Sequence, residues 1–207
     1  MFRILAIGLL MTLTAVTAQA EEYKAGINYD VIAMPVPTAD KSKVEVVEAF
    51  GYLCPHCANF EPLLHSWTAR LPADVDFVRI PVVFSRSWEP LARAYYSSDI
   101  LNGLDKTHQA TFDALHKERR RFNSMDDLAN YYADLGVDKE KFTKMTQSFA
   151  VNMRMNQGAS KVKGYGIQGV PTLVVNGKYL VTADKAGGHA GMLKVAEYLI
   201  EKEKNAL

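Results

Sequence analysis

The hydrophobic pattern changes period several times along this chain. Val44-Glu45-Val46-Val47-Glu48-Ala49-Phe50 is rich in β-branched residues and predicts a strand. Gly51-Tyr52-Leu53 then leads into Cys54-Pro55-His56-Cys57, after which Phe60, Leu63, Leu64 and Trp67 recur at helical spacing. Pro72 predicts the end of that helix, and residues 75–84 read as a second strand. Two strands joined through a helix form a βαβ unit, with parallel strands and a right-handed crossover.

From residue 85 to about residue 163 the period is helical. Leu91, Ala94, Tyr95 and Ser98 mark one helix. Ser124 with Asp127 resembles a capping box, Met125, Leu128, Ala129, Tyr132 and Leu135 share one face, and Gly136 is a stop. Phe142, Met145, Phe149 and Met153 prolong the apolar stripe, and the basic run 117–121 reads as a solvated helix face. Strand character returns at residues 172–175. Asn176-Gly177 predicts a two-residue hairpin turn into 178–181. A last helix carries Met192, Val195, Ala196, Leu199 and Ile200. The order βαβ, helices, ββα predicts an α/β fold interrupted by an all-helical insertion.

The first twenty residues follow a different logic. Met1-Phe2-Arg3 is a positive start, residues 4–16 are almost uncharged and apolar, and Ala18-Gln19-Ala20 is a small-x-small cleavage site. This is the pattern of a secretory signal peptide. A membrane anchor is the alternative, but the apolar run is shorter than the ~20 residues a spanning helix needs. The expected organisation is a signal peptide at 1–20, cleaved near Ala20-Glu21. A first α/β part follows at 21–84, the helical insertion at 85–163 and a second α/β part at 164–207. No other long apolar run exists, so the mature chain is expected to be soluble.

Composition narrows the function classes. The chain is 48% hydrophobic and 23% charged, which is ordinary globular material. Its 24 basic and 23 acidic side chains give no general reason to expect a nucleic-acid partner. The two cysteines, Cys54 and Cys57, are too close to reinforce the fold, because so short a ring removes little unfolded-state entropy. In an exported protein the pair therefore reads as chemistry.

A Cys-x-x-Cys at a strand-to-helix junction has a physical purpose. Cys54 falls at or beside the helix N-cap, Pro55 suits the first helical position, and Cys57 returns to the same face. The free amides and positive dipole end of the helix stabilise a Cys54 thiolate, and His56 adds charge or a hydrogen bond. A stabilised thiolate leaves readily, so such a disulfide is easily given away. A metal site is the alternative, but one Cys-x-x-Cys supplies two ligands where structural zinc needs four. Glu48 shares strand parity with Val44, Val46 and Phe50, so it points to an apolar face, where its pKa is raised and it could exchange a proton with Cys57. The alternative is a strand-end carboxylate in solvent. Arg79 could pair with Glu48, or lie on the surface. In Gly169-Val170-Pro171-Thr172, a proline before a strand fits either a sharp cis bond or an ordinary trans one.

Signal peptide, Cys54-Pro55-His56-Cys57 with the following Phe60-Glu61, helical insertion, Gly169-Val170-Pro171 and the Asn176-Gly177-Lys178-Tyr179 hairpin together resemble the DsbA family of bacterial periplasmic thiol:disulfide oxidoreductases. The resemblance covers the chain after residue 20. It implies a thioredoxin fold interrupted by helices, with Cys54 as exposed nucleophile and Cys57 as buried partner. It also implies a cis Val170-Pro171 bond, with the Val170 backbone contacting extended substrates. Glu48 matches the family's buried acid and Glu61 a second acidic position. Arg79 stands where relatives can carry lysine, and arginine does not share a proton as lysine can. The implied partners are reduced exported polypeptides and a DsbB-type membrane quinone reductase. The chain is expected to act as a monomer, with no nucleic acid and no cofactor or metal beyond the redox-active disulfide. Three rivals are weighed against this: an isomerase or reductase, a binding protein or chaperone with an incidental Cys-x-x-Cys, and a metal carrier. Isomerases carry an added N-terminal domain and usually threonine where Val170 stands.

Overall fold

The computed structural model describes residues 23–206, so the expected signal peptide and its cleavage point lie outside the described residues. Five strands, β1 (Asp30–Val31), β2 (Val44–Phe50), β3 (Val75–Pro81), β4 (Thr172–Val175) and β5 (Tyr179–Thr182), form one sheet in the order β1-β5-β4-β2-β3. β2 is an inner strand, parallel to β3 on one side and antiparallel to β4 on the other. All seven β2 residues are buried, because both edges are paired and both faces are covered. Val44 and Val46 pack with Phe60, Leu64 and Leu199 on one face. Val47 and Ala49 pack with Ile80, Tyr165 and Ile167 on the other. Burial on both faces is typical of a central strand flanked by helices.

Eight helices surround this sheet among the described residues: α1 (Pro55–Thr68), α2 (Glu89–Ile100), α3 (Leu104–His116), α4 (Met125–Asp134), α5 (Lys139–Thr146), α6 (Phe149–Tyr165), α7 (Ala183–Ala186) and α8 (His189–Lys204). α2 to α6 fall between β3 and β4, in the stretch read as helical. The Ser124 hydroxyl accepts from the Asp127 amide at 3.1 Å, while the Asp127 carboxylate accepts from the Asn123 amide at 2.9 Å, one residue earlier than in a strict capping box. Gly136, at φ +86°, follows α4 as the expected stop.

Several boundaries differ from expectation, each for a local reason. α1 ends at Thr68, before Pro72 is reached. The second strand ends at Pro81, not residue 84: β2 has no residue beyond Phe50 to pair with, so Val83 and Phe84 turn outward at 42% and 46% exposure. There the chain passes Gly51, where a Cβ would lie 2.0 Å from the Trp88 ring, so only glycine fits. The apolar stripe from Phe142 is not continuous. Ser148 caps a new helix by accepting from the Val151 amide at 3.2 Å, and Phe149 is left 78% exposed. The basic run 117–121 is not a helix face, because α3 ends at His116 and Arg119 takes a positive φ of 57°. At the hairpin, Asn176 and Gly177 both have positive φ, and β5 begins at Tyr179, one residue later than expected. Lys163 lies within the last turn of α6, which packs against both α2 and β3. The two-residue β1, too short for a periodic signal, was not predicted.

Candidate active site

Cys54 is the N-cap of α1, with extended backbone angles of φ −87° and ψ 116°, and Pro55 follows at the first helical position. The amide of Cys54 donates to Gly51 O at 3.0 Å, which folds the turn between β2 and α1. Cys57 lies in the first helical turn and is fully buried, whereas Cys54 retains 8% exposure. Both are free thiols. The nucleophile implied as exposed is thus mostly covered, while His56 between the cysteines is exposed.

The environment drives the two thiols apart. A hydrogen bond from Cys57 lowers the Cys54 pKa from 9.0 to about 6, against the effect of burial, and the amides of Cys57 and His56 and the charge of His56 add to it. Cys57 is pushed far above the thiol range, because it donates that hydrogen bond, because it is buried, and because the Cys54 thiolate, and Glu48 once ionised, oppose a second negative charge. Near neutral pH the pair therefore consists of one thiolate and one thiol.

Facing them is the Val170-Pro171 peptide bond, which is cis. In its thiol form Cys54 Sγ donates to Val170 O at 3.3 Å. Thr172 Oγ1 donates to Gly169 O at 2.8 Å and braces the same turn. A cavity of about 950 Å³ opens beside it, lined by His56, Val170, Pro171 and His189 and by the exposed Val31 and Met34.

Beneath Cys57 lies a buried charge cluster. Glu48 is paired with Arg79 in the β2–β3 register, and Arg79 Nε donates to Glu48 Oε2 at 2.9 Å. Arg79 also donates through an Nη to Glu61 Oε1 at 2.8 Å, from α1. Glu48 and Glu61 are 1% and 2% exposed. Burial raises the Glu48 pKa to about 8, with Arg79 opposing and Glu61 adding to it. Glu61 is held low: burial acts to raise it, but His108 and Arg79 outweigh burial. The parity argument for Glu48 holds. The solvent-facing alternatives for Glu48 and Arg79 are excluded by these distances and by burial. On the opposite face of β2, Glu45 is also buried and takes the Lys161 ammonium at 2.8 Å.

The sequence reading missed His108, His116 and Tyr52. His108 lies on α3, with Nε2 3.3 Å from Glu61 Oε2 and Nδ1 2.8 Å from the Tyr52 hydroxyl. The first contact is badly aligned, leaving Glu61 Oε2 and His108 Nε2 without a directed hydrogen bond. Burial lowers the His108 pKa, with Glu61 opposing. His116 Nε2 bonds Tyr52 O at 2.7 Å. Helix α3 thus grips both ends of a residue two positions before Cys54. His108, Phe112 and His116 are spaced four apart, so the signal was one face of a helix. Replacing His108 by alanine strips the hydrogen-bond partner from the buried Tyr52 hydroxyl and the neighbouring imidazole from Glu61. We expect a loss of about 2 kcal/mol in urea unfolding; an unchanged midpoint would contradict this bracing.

A dithiol split into thiolate and thiol at a helix N-terminus, opposite a cis-proline, defines the class of thioredoxin-like thiol:disulfide oxidoreductases. Comparison narrows this. Residues 91–194 match the model of the DSBA-like thioredoxin domain family, a span that begins after the cysteines. The thiol:disulfide interchange protein DsbA of Pseudomonas aeruginosa is 41% identical over 95% of this chain and 93% of its own length, and so extends across them. A crystal structure of Pseudomonas aeruginosa DsbA superposes with a TM-score of 0.86 at 42% identity, covering 89% of this chain and 96% of its own. The oxidoreductase DsbA from Xylella fastidiosa superposes at 0.83, with 36% identity over 88% and 98%. The chain belongs to the DsbA family. Its fold is the thioredoxin-like fold with helical insertion that the sequence predicted, and it is a thiol:disulfide oxidoreductase.

Proposed function

We propose that this protein is a periplasmic dithiol oxidase that donates a Cys54–Cys57 disulfide to newly exported polypeptides. The observation that carries this reading is the Cys54 thiol lowered to about 6 beside a Cys57 held protonated. A substrate thiolate attacks Cys54 Sγ, the Cys54–Cys57 bond breaks, and Cys57 takes up a proton. A second substrate thiolate attacks the substrate sulfur of the mixed disulfide and expels Cys54 as its stabilised thiolate. The substrate loses two electrons and the protein gains them.

Glu48, with a pKa near 8, is a protonated acid at neutral pH that can supply the Cys57 proton and later accept it again. Arg79 keeps its charge throughout and orients Glu48 and Glu61, so a proton-sharing role does not pass to it. The Val170 backbone at the cis-proline offers an edge to an extended substrate, and His56 and Pro55 set the helix start. Reoxidation is assigned to a DsbB-type membrane quinone reductase. The signal-peptide pattern supports periplasmic location after cleavage near Ala20-Glu21. The protein acts as a monomer without metal or organic cofactor.

The test mixes oxidised protein with a reduced two-cysteine peptide in a glutathione buffer. Nearly complete transfer of the disulfide to the peptide is expected. A preference for reducing peptide disulfides would favour the reductase or isomerase reading instead.

A further inference from the structure

A second cavity, of about 810 Å³, lies in the helical region between the 117–123 loop and the start of α2. Five arginines line it, Arg86, Arg93, Arg119, Arg120 and Arg121, against one carboxylate, Glu89. Glu89 is already taken by Arg93 at 2.9 Å, and Arg93 also binds Asn152 Oδ1 at 2.8 Å, so this pair belongs to the scaffold. Arg120 lies over the Tyr131 ring at 4.5 Å. Arg86, Arg119 and Arg121 are exposed and have no carboxylate partner among the described residues. In a chain of 24 basic and 23 acidic side chains this is a local excess, not a general one.

The loop is built to hold that charge. Arg119 sits at φ 57°, and the Arg120 amide donates to Ala114 O at 2.8 Å, turning the chain back over the end of α3. The cleft is also apolar, through Leu53, Leu91, Leu115, Phe122, Met125 and Leu128. Leu53, the residue before Cys54, lines the cleft, so one wall of it is continuous in the chain with the redox motif. His116, which holds the Tyr52 carbonyl at 2.7 Å, lines it as well.

We infer that this cleft is a second client-binding site, which takes an acidic, partly apolar stretch of the polypeptide flanking the cysteine being oxidised. This rests on the client-oxidising function proposed above. Guanidinium groups match carboxylates in a two-pronged geometry that lysines do not offer. The apolar floor takes side chains between the acids. The floor is concave, so an extended chain can reach it and a flat bilayer surface cannot. Exposed charges of one sign beside the site raise the rate of encounter with an oppositely charged segment and make that rate salt-dependent.

The test uses two reduced dithiol peptides, identical except for glutamates or glutamines flanking the cysteines, and cysteine-free serine versions of both. At low salt the acidic peptide should be oxidised, and its serine version bound, about fivefold better, as expected for two partly screened charge contacts. High salt should erase the preference. The double substitution Arg119→Glu and Arg121→Glu should abolish it. Lys144→Glu, an equal kind of charge change on the exposed side of α5, should leave it intact. Should the double variant not fold, Arg86→Glu on the opposite wall makes the same test. Equal rates for both peptides, or a preference that charge reversal leaves standing, would overturn the inference. So would anionic phospholipid vesicles binding through Arg121 where the acidic serine peptide does not. If neither peptide is oxidised, the oxidase reading fails, while binding of the serine peptides still decides the cleft.

Discussion

Replacing Cys54 by serine is expected to lower the rate of disulfide transfer by at least about 10⁴-fold, to the uncatalysed background. A hydroxyl forms no disulfide, and the one remaining thiol, Cys57, is fully buried and held protonated. Replacing Cys57 by serine should act differently. Cys54 keeps its helix-end amides and His56, a serine hydroxyl can donate in place of the Cys57 thiol, and Cys54 still forms mixed disulfides. No neighbouring thiol then remains to displace the substrate, so the mixed disulfide persists. Non-reducing electrophoresis after mixing with a single-cysteine peptide disulfide separates the two cases. The Cys57→Ser variant should trap a protein–peptide adduct and the Cys54→Ser variant none. Trapping by the Cys54→Ser variant would reverse the assigned roles. Transfer activity retained by it would remove the nucleophile from the account altogether.

The second large effect is on stability. The Cys54 pKa is about 6 in the fold against 9.0 for a free thiol, so the folded reduced state releases its proton at lower pH than the unfolded chain does. A depressed pKa gives stability that is complete above the unfolded value and lost as pH falls through the folded one. The reduced form should therefore gain stability between about pH 6 and pH 9, reaching about 2 kcal/mol once solvent screening of this partly open thiolate is allowed for. The oxidised form has no thiolate and gains little from so small a ring. The raised pKa of Glu48 acts oppositely, costing stability as pH rises from the ordinary carboxyl value of 4.5 through about 8. Glu48 is present in both redox states, so most of its share cancels in the difference between them, where Cys54 dominates. Denaturant unfolding of both forms across this pH range should show the reduced form the more stable, by a margin that shrinks toward pH 5. An oxidised form as stable or more stable at pH 8 would count against the oxidant reading.

The parts of the fold with a strong local period were legible in the sequence. β2 was predicted residue for residue, because seven consecutive positions are strand-forming and a turn follows. The cap of α4 was legible because Ser124 and Asp127 interact within one turn. The stripe from Phe142 to Met153 misled, since a helical period says nothing about a break at Ser148, where one hydroxyl begins a new helix. The thiols, the cis-proline and Glu48 with Arg79 were found because each carries a local signal or matches a family position. His108 was not, because its role depends on α3 lying against Tyr52 and Glu61, which no local pattern in the chain encodes. The arginine run was visible, but its place in a cleft depended on α3 ending at His116.

The central claim is that the helix start, the Cys57 hydrogen bond and His56 make Cys54 a thiolate at neutral pH. Titrating the thiolate ultraviolet absorbance of the reduced protein, with the Cys54→Ser variant subtracted, tests it directly. The account predicts one ionisation with a midpoint near 6 that the variant lacks. A midpoint in the ordinary thiol range, about 8.5, would contradict it.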